Sequence, residues 1–411
     1  MNLIKHMYVH IPFCVKKCTY CDFAIHALGK RDQVHSSTLK DTYVSYLKKE
    51  MEYYLSYDKG DPMALRTVYI GGGTPSLLSI KNLETIVASV NSYRQFDRSL
   101  EMTIENEPDS TTAQMVKCYK ALGVNRLSMG LQSMDDKHLR ALNRNHSYKD
   151  FEKALGIILG DYSPKQLNVD LLMGIPGDQL ESFMSTLEKV KDMGFGHLSL
   201  YNLTVEKNTK LYRMIQSNQA TMDEDFQTNA YLAAARFLEL NGYNQYEVSN
   251  YCRRGDSDLR SKHNIMYWEG DIDFFGFGVG ASSLINGHRF KRPTTLKAYY
   301  SYVDQLMRGE LDVLSLGENE QGNLSQHLES VFIGATRTEA GIRLDRLRAI
   351  FEKHKRPELF EPFVDQLRRL KLTKLLKIRV SNTHIRVPKK EFIVSDAILT
   401  SICVLINDIC A

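Results

Sequence analysis

Short apolar segments of β type alternate with longer helical segments from Met7 to about Asn250. The β-type segments lie at residues 8–11, 67–70, 102–104, 126–129, 169–172 and 197–200. Between them, apolar residues recur near helical spacing at residues 38–55, 80–93, 112–122, 148–159 and 180–193. Parallel strands need crossover connections of this length, which are usually helices. The sequence therefore predicts an α/β fold with a barrel or partial barrel of the (β/α) TIM type.

The alternation does not continue through the whole chain of 411 residues. We expect residues 1–250 to form the core domain and residues 251–293 to form a connecting segment. Residues 294–411 show several helical patterns and one hairpin pattern near residues 377–387, which predict a smaller, mainly helical C-terminal domain. Residues 246–250 are expected to close the sheet, and the glycine-punctuated residues 274–281 are expected to form a turn.

Three cysteines follow the first predicted strand at the spacing C-x3-C-x2-C, namely Cys14, Cys18 and Cys21. One loop can wrap thiolates at this spacing around a single inorganic centre. Iron–sulfur clusters normally take four protein ligands, so three cysteines would leave one iron open to a small molecule. A zinc site completed by His10 or His26 is an alternative, although structural zinc usually takes two ligand pairs from two loops. Reduced thiols without a metal are the third alternative.

Composition and cysteine usage suggest a cytoplasmic protein. Apolar residues make up 43% and charged residues 25% of the chain, and no apolar run of about 18 residues predicts a membrane span. The first strand begins too close to Met1 to leave room for a signal peptide. The seven cysteines are odd in number and mostly scattered, so no disulfide framework is expected.

Positive charge is concentrated in the C-terminal part of the chain. Residues 343–390 contain 15 basic and 5 acidic residues, although the whole chain carries a net charge of only +4. We expect a solvated surface there, which makes nucleic-acid binding unlikely; such charge would also suit an acidic partner or an anionic membrane surface. The apolar residues 392–406 are expected to form a docked terminal helix, with peripheral membrane contact as the alternative.

Unusual residues also follow the other predicted strands. Residues 71–75 read Gly-Gly-Gly-Thr-Pro after the second strand, Glu105 ends the third, and Gln132 follows the fourth. In barrels of this type, the chemistry collects in the loops after the C-terminal ends of the strands. Three glycines would let the backbone approach a ligand closely, and the alternative is a tight strand–helix turn.

Several of these motifs together resemble a known superfamily. The cysteine spacing after one strand and the glycine run after the next resemble the radical SAM superfamily. Residues 8–14 and 126–133 resemble its HemN-like branch, which includes oxygen-independent coproporphyrinogen dehydrogenases and HemW haem chaperones. The resemblance covers nearly the whole chain.

The resemblance implies a role for each of the predicted site residues. Cys14, Cys18 and Cys21 would hold a [4Fe-4S] cluster whose open iron is chelated by S-adenosyl-L-methionine. Gln132, Arg144 and Asp170 match positions that the branch uses around S-adenosylmethionine, and Tyr8 matches one beside the cluster. Gly72, Gly73 and Thr74 of the glycine run would lie against the methionine end of that ligand. Glu105 could bind a ribose hydroxyl or ammonium group, and Tyr20 could pack on adenine. Considered one at a time, each polar residue among them is equally explained as an ordinary surface or core group.

Two features separate the members of the branch. Coproporphyrinogen dehydrogenases carry a further cysteine at the position of Phe23, whereas the Cys-Asp-Phe ending resembles HemW. Residues 263–268 match the HNxxYW motif of that family and include the one tryptophan of the chain. His263 could contact haem; the alternative is that it forms structural hydrogen bonds while Tyr267 and Trp268 pack the domain junction.

The HemW resemblance implies a haem chaperone that binds haem, the cluster and S-adenosylmethionine and delivers haem to apo haem proteins. Its partners would then include an electron donor for the cluster, and an oligomer is also compatible with the sequence. The alternative is a catalytic radical SAM oxidoreductase that acts on a tetrapyrrole such as coproporphyrinogen III.

Overall fold

A nine-stranded sheet dominates the computed structural model, which describes residues 4–29, 33–57, 65–93, 96, 99–255, 258–311 and 323–410. The sixteen strands of the described residues are β1 His6–Ile11, β2 Phe13–Cys14, β3 His26–Ala27, β4 Thr67–Gly72, β5 Glu101–Asn106, β6 Arg126–Gln132, β7 Leu167–Met173, β8 His197–Asn202, β9 Tyr243–Gln245, β10 Asn250–Arg253, β11 Phe275–Phe277, β12 Ser282–Ile285, β13 His288–Lys291, β14 Ile342–Arg343, β15 Arg379–Val380 and β16 His384–Arg386. The large sheet has the order β11-β1-β4-β5-β6-β7-β8-β10-β9.

Seven neighbouring strands of this sheet, from β11 to β8, are parallel. β10 and β9 add an antiparallel edge beside β8, and no ladder joins β9 to β11. The sheet is thus an open, partial (β/α) barrel, as the alternating pattern predicted.

Two expectations at the edges of this sheet are wrong. Of residues 246–250 only Asn250 lies in a strand, as the first residue of β10, because the Tyr246 N–H donates to the Asn250 carbonyl and reverses the chain between β9 and β10. The glycine-rich residues 274–281 are not simply a turn, because Phe275–Phe277 pairs with β1. A Cβ at Gly276 would lie 2.1 Å from the Ser282 carbonyl oxygen, so this glycine permits a close backbone approach.

Helices cross over between the parallel strands, and further helices follow the sheet. Those described are α1 Gln33–Tyr57, α2 Ile80–Tyr93, α3 Ala113–Ala121, α4 Asp136–Ala141, α5 Tyr148–Ile158, α6 Leu180–Asp192, α7 Lys210–Gln216, α8 Glu224–Leu240, α9 Lys262–Glu269, α10 Leu296–Met307, α11 Leu324–Ala335, α12 Leu344–Lys353, α13 Phe360–Leu372 and α14 Ser395–Cys410. Local signals set several of the starts; at α5, Ser147 and Asp150 form a reciprocal capping box.

The C-terminal elements consist of α11–α14 and the small antiparallel sheet β14-β16-β15, which contains the predicted hairpin. One continuous hydrophobic core extends from the barrel into these helices. α10 packs on α1, where the rings of Tyr46 and Tyr300 stack with centroids 4.4 Å apart. The division into residues 1–250, 251–293 and 294–411 remains our proposal.

The terminal helix α14 is docked on the protein. Its residues Ile398, Ile402, Leu405 and Ile406 are buried, and the helix packs mainly on α11. Among the described residues, only the stretch Lys389–Cys410 is long and apolar enough to cross a membrane by length and composition. The expectation that no such stretch exists was therefore wrong, and the buried face of α14 explains the high hydropathy.

Ion pairs within the basic C-terminal segment neutralise part of its charge. The pairs are Arg343–Asp345, Arg348–Glu361, Arg356–Glu358 and Arg368–Asp365. All eight side chains are well exposed, so solvent and salt screen these pairs and they add little stability. This pattern is typical of a solvated surface.

Candidate functional site

A cavity of about 830 Å³ opens at the C-terminal ends of the parallel strands. Twelve of the thirteen predicted site residues line it: Tyr8, Cys14, Cys18, Tyr20, Cys21, Gly72, Gly73, Thr74, Glu105, Gln132, Arg144 and Asp170. They come from β1, β4, β5, β6, β7 and the loops that follow, so the sheet brings together residues that are far apart in sequence. The exception is His263.

The cysteine loop is closed at its neck by β2 and β3. These short strands pair in parallel, with Phe13 opposite His26 and Cys14 opposite Ala27. The His26 N–H donates to the Pro12 carbonyl at 2.6 Å. Phe13 is fully buried and anchors the start of the loop in the core. The cysteine-bearing residues therefore form a closed loop on a rigid base.

Burial makes the Cys14 and Cys21 thiols weaker acids than exposed ones. Burial raises the pKa of Cys14 to about 12, although a hydrogen bond from Thr74 at 3.6 Å acts in the opposite sense. Burial also raises the pKa of Cys21, and an Arg144 N–H points to the Cys18 sulfur at 3.7 Å. Buried thiols of this kind stay protonated unless a metal displaces the proton.

The spacing of the ligands bears on the choice between cluster and zinc. In the described part of the chain, no group of three or more His, Cys, Asp or Glu side chains converges tightly enough to hold a metal ion. Four thiolates around one zinc at about 2.3 Å must lie within about 4 Å of one another. A cluster with several irons holds its cysteines further apart. The preference for a cluster rests on the number and spacing of the cysteines in the sequence.

A Cβ added at any of the three glycines in residues 71–73 would clash with protein atoms. A Cβ at Gly71 would lie 2.8 Å from the Glu105 carboxylate, and one at Gly72 would lie 2.5 Å from the His10 ring. At Gly73 it would lie 2.7 Å from the Phe13 carbonyl oxygen. Gly72 also has φ +112°, which side chains rarely adopt. Packing of β4 against β1 and the cysteine loop thus already requires these glycines.

Two partly buried carboxylates stand at the ends of strands. Glu105 accepts hydrogen bonds from the Gly72 N–H at 2.9 Å and the Tyr69 hydroxyl at 2.8 Å, and burial raises its pKa to about 7. Asp170 accepts a hydrogen bond from the Asn168 amide at 2.7 Å, and burial raises its pKa. Both could accept hydrogen bonds from the hydroxyl or ammonium groups of a ligand.

A charged pair lies beside the cysteine loop. The Arg144 guanidinium donates to both oxygens of Glu107, with Nη2 to Oε1 at 2.6 Å. Burial alone would raise the pKa of Glu107, but the Arg144 charge holds this pKa below its usual range. Gln132 lies nearby with φ 65°, next to a register shift in the β6–β7 ladder. Such strained backbone is found at functional sites more often than elsewhere.

The two predicted tyrosines lie on different walls of the cavity. The Tyr8 hydroxyl is hydrogen-bonded to His10 Nδ1 at 2.9 Å, and His10 Nε2 is bonded to the Ala24 carbonyl at 2.9 Å. Burial lowers the pKa of His10 to about 4, so its imidazole is neutral. Tyr20 packs on a small apolar cluster that includes Leu142. Its ring is thereby held beside the cysteines.

His263 does not reach the cavity, contrary to its assignment as a haem contact. It is 1% exposed, with Nδ1 bonded to the Thr67 hydroxyl at 2.7 Å and Nε2 to the Tyr267 hydroxyl at 3.2 Å. Its ring stacks on Tyr69 with centroids 5.0 Å apart, and burial lowers its pKa to about 3. Both ring nitrogens are therefore occupied, as the structural alternative predicted. Asn264 and Tyr267 of the same helix do line the cavity.

Several residues of the cavity were missed in the sequence. Arg126, Ser128, Asn168 and Ser199 lie on β6, β7 and β8 and face the cavity, and Nη2 of Arg126 is buried without a hydrogen-bond partner among the described residues. On β6, the cavity residues alternate at positions 126, 128, 130 and 132. This period of two is typical of a strand with one face on a site and could have identified them.

Comparisons with known proteins agree with this geometry. Residues 8–190 match the radical SAM superfamily. The heme chaperone HemW of Synechocystis sp. is 32% identical over 349 residues, covering 85% of this chain and 81% of that protein. HemW of Bacillus subtilis is 31% identical over 349 residues, covering 84% and 86%.

A solved structure supports the fold. Coproporphyrinogen III oxidase (HemN) from Escherichia coli, a radical SAM enzyme, superimposes with a TM-score of 0.76 over 98% of this chain and 90% of that chain. Its sequence identity is 23%, so this similarity concerns the fold alone. The superfamily match over residues 8–190 and the two HemW relatives show that the chain belongs to the HemW heme chaperone family of the radical SAM superfamily.

Proposed function

We propose that the protein binds haem, a [4Fe-4S] cluster and S-adenosylmethionine, and delivers haem to apo haem proteins of the cytoplasm. The observation that carries the proposal is the common cavity, which joins the cysteine loop, the strand-end polar residues and exposed aromatic side chains. Membership of the HemW family supports haem as the cargo.

Cys14, Cys18 and Cys21 would hold the cluster. When bound, the cluster supplies an open iron position and one electron to S-adenosylmethionine. Glu105 and Asp170 would accept hydrogen bonds from its polar groups, and Tyr20 would pack against its adenine. Arg144 would stabilise a thiolate at Cys18, because its guanidinium already points to that sulfur at 3.7 Å.

Apolar side chains at the cavity support a flat apolar ligand. The large apolar residues that both line the cavity and are well exposed are Val15, Phe23, Tyr201 and Tyr267. Phe23 is 63% exposed and stands where the resembling dehydrogenases carry an additional cysteine. Exposed apolar surface at a cavity usually marks a binding site.

The test is anaerobic reconstitution of the cluster, followed by titration with haem and with S-adenosylmethionine while the cluster and haem spectra are recorded. We expect haem to bind to the reconstituted protein and to pass to an apo haem protein. A fully reconstituted protein that does not bind haem would contradict the proposal.

The complete strand-end site also supports a second candidate, a radical SAM oxidoreductase that acts on a tetrapyrrole. The twelve cavity residues named for the cluster and S-adenosylmethionine could serve such a reaction equally well. The distinguishing measurement is turnover of coproporphyrinogen III by the reduced, reconstituted protein with an electron donor. Multiple turnovers would favour the enzyme, whereas haem transfer without turnover would favour the chaperone.

A further inference from the structure

Two cations stand on the β12–β13 hairpin at the edge of the cavity. Arg289 and Lys291 are both exposed, and both line the cavity. Neither forms an ion pair with a residue that the structure describes. Because they are two residues apart on β13, their side chains share one face of the hairpin, about 7 Å apart along the strand. The two positive charges are therefore available to a ligand in the cavity.

An aromatic wall lies next to these cations. The Arg289 guanidinium stands 5.9 Å from the centre of the Phe274 ring. The Phe274 and Tyr267 rings meet edge to face with centroids 5.0 Å apart, and both side chains line the cavity. An aromatic surface bordered by cations suits a planar apolar molecule that carries acidic groups on one edge.

The hairpin is held rigidly on the barrel. Arg292, which follows β13, is fully buried and bonds to the buried Glu50 carboxylate through Nε at 2.7 Å. Phe290 faces away from the cavity and stacks with Tyr54 at a centroid distance of 6.0 Å. A Cβ at Gly280 would lie 2.5 Å from the Cβ of Ala24, so the start of the hairpin packs against the end of the cysteine loop. The cations are thus positioned before a ligand arrives.

The charges of the cavity are unevenly distributed. Glu105 and Glu107 belong to β5 and its following loop, and Asp170 belongs to β7. The hairpin instead follows β11, which is the far edge of the sheet beyond β1. The hairpin edge is thus a cationic part of the cavity rim away from these carboxylates, whose charge Arg126 and Arg144 partly offset.

From these observations we propose that Arg289 and Lys291 bind the carboxylates of a planar macrocycle whose face lies against Tyr267, the exposed ring that the buried Phe274 supports. The inference rests on the proposed haem binding and assigns the haem propionates to these two cations. It gives the macrocycle a defined orientation, with its acidic edge toward the hairpin and away from the β5 carboxylates.

The experiment compares haem with its dimethyl ester, in which the two carboxylates are blocked, on the reconstituted full-length protein. We expect the wild-type protein to bind haem at least about tenfold more tightly than the ester. Each of Arg289→Met and Lys291→Met should weaken haem binding by about 3–10-fold and leave ester binding unchanged. In the double variant, the preference for haem should disappear. Lys297→Met, an exposed cation outside the cavity, is the matched control and should bind as wild type.

The outcomes separate this inference from the function on which it rests. A double variant that has wild-type cluster content and still prefers haem would overturn the carboxylate site and leave haem binding intact. Equal affinity of the wild-type protein for haem and for its dimethyl ester would likewise overturn the carboxylate site and leave haem binding intact. A wild-type protein that binds neither compound would overturn both proposals.

Discussion

Replacement of Gly73 by alanine should damage the cysteine loop while leaving the barrel folded. The new Cβ would lie 2.7 Å from the Phe13 carbonyl oxygen, 2.9 Å from that of Ile11 and 3.0 Å from the Cys14 sulfur. Two of these contacts are with backbone, which cannot move aside as a flexible side chain can. To reach an ordinary contact of 3.4 Å, the Phe13 carbonyl must retreat by about 0.7 Å. That movement separates the neck of the loop from the end of β4.

Crowding of a well-packed site by one methyl group typically costs about 1–3 kcal/mol in the free energy of unfolding. The free energy of unfolding of a domain is about 5–15 kcal/mol, so the variant should remain folded. Cluster assembly is more sensitive, because the displaced Cys14 must still meet the other two cysteines at one centre. We therefore expect a clear fall in iron content per chain at a modest loss of stability.

Gly156→Ala is the matched control. Gly156 lies in α5, and a Cβ there would meet no atom within 4 Å. Alanine should be neutral or stabilise this helix by up to about 1 kcal/mol, with full iron content. The measurements are urea unfolding of the cluster-free proteins and iron content after anaerobic reconstitution. Wild-type iron content in Gly73→Ala, with a free energy of unfolding within about 0.5 kcal/mol of wild type, would refute the reasoning.

Three further predictions test the site and the core. Cys14→Ser should abolish stable iron binding after reconstitution, whereas Cys403→Ser on the distant α14 should retain it; equal iron content would contradict the cluster assignment. Arg144→Gln leaves the partly buried Glu107 carboxylate without its cation and should lower the free energy of unfolding by about 1–3 kcal/mol; adding Glu107→Gln should recover part of the loss. Burial raises the pKa of Glu247 from 4.5 to about 7, so the folded chain retains a proton that the unfolded chain has released. The contribution of Glu247 to the free energy of unfolding should therefore fall as the pH rises from about 4.5 to 7, so the advantage of wild type over Glu247→Gln should shrink by up to about 3 kcal/mol across that range, measured by unfolding both proteins at several pH values; parallel pH profiles would argue against it.

Local patterns predicted most of the barrel. The six β-type segments correspond to β1, β4, β5, β6, β7 and β8, because each alternates apolar residues with polar or aromatic ones over the length of a strand. β11 was missed, because it is three residues long with Gly276 at its centre, and only its pairing with β1 makes it a strand. The strands β9 and β10 were not predicted, and residues 246–250 between them were expected to close the sheet instead. Their pairing depends on the turn between them and on contact with β8, which local patterns do not show.

The candidate site was likewise predicted in part from the sequence and decided in part by tertiary contacts. Motif spacing identified the cysteines and the strand-end Glu105 and Asp170, which all line the cavity. His263 was assigned to haem from its motif, yet its burial beneath Tyr69 and Tyr267 occupies both ring nitrogens. A motif specifies residue types along the chain but does not specify which face of its helix points to the cavity.

The sequence by itself determined the features that depend on neighbours along the chain. These are the alternation of strands and helices and the spacing of Cys14, Cys18 and Cys21, because periodicity and loop length follow from local backbone geometry. Tertiary structure alone decided which distant residues meet: Glu105 with Gly72, Arg144 with Cys18, and the hairpin cations with the aromatic wall. The raised pKa of Glu105 also belongs to this group, because desolvation depends on everything packed around the carboxylate and not on its neighbours in sequence.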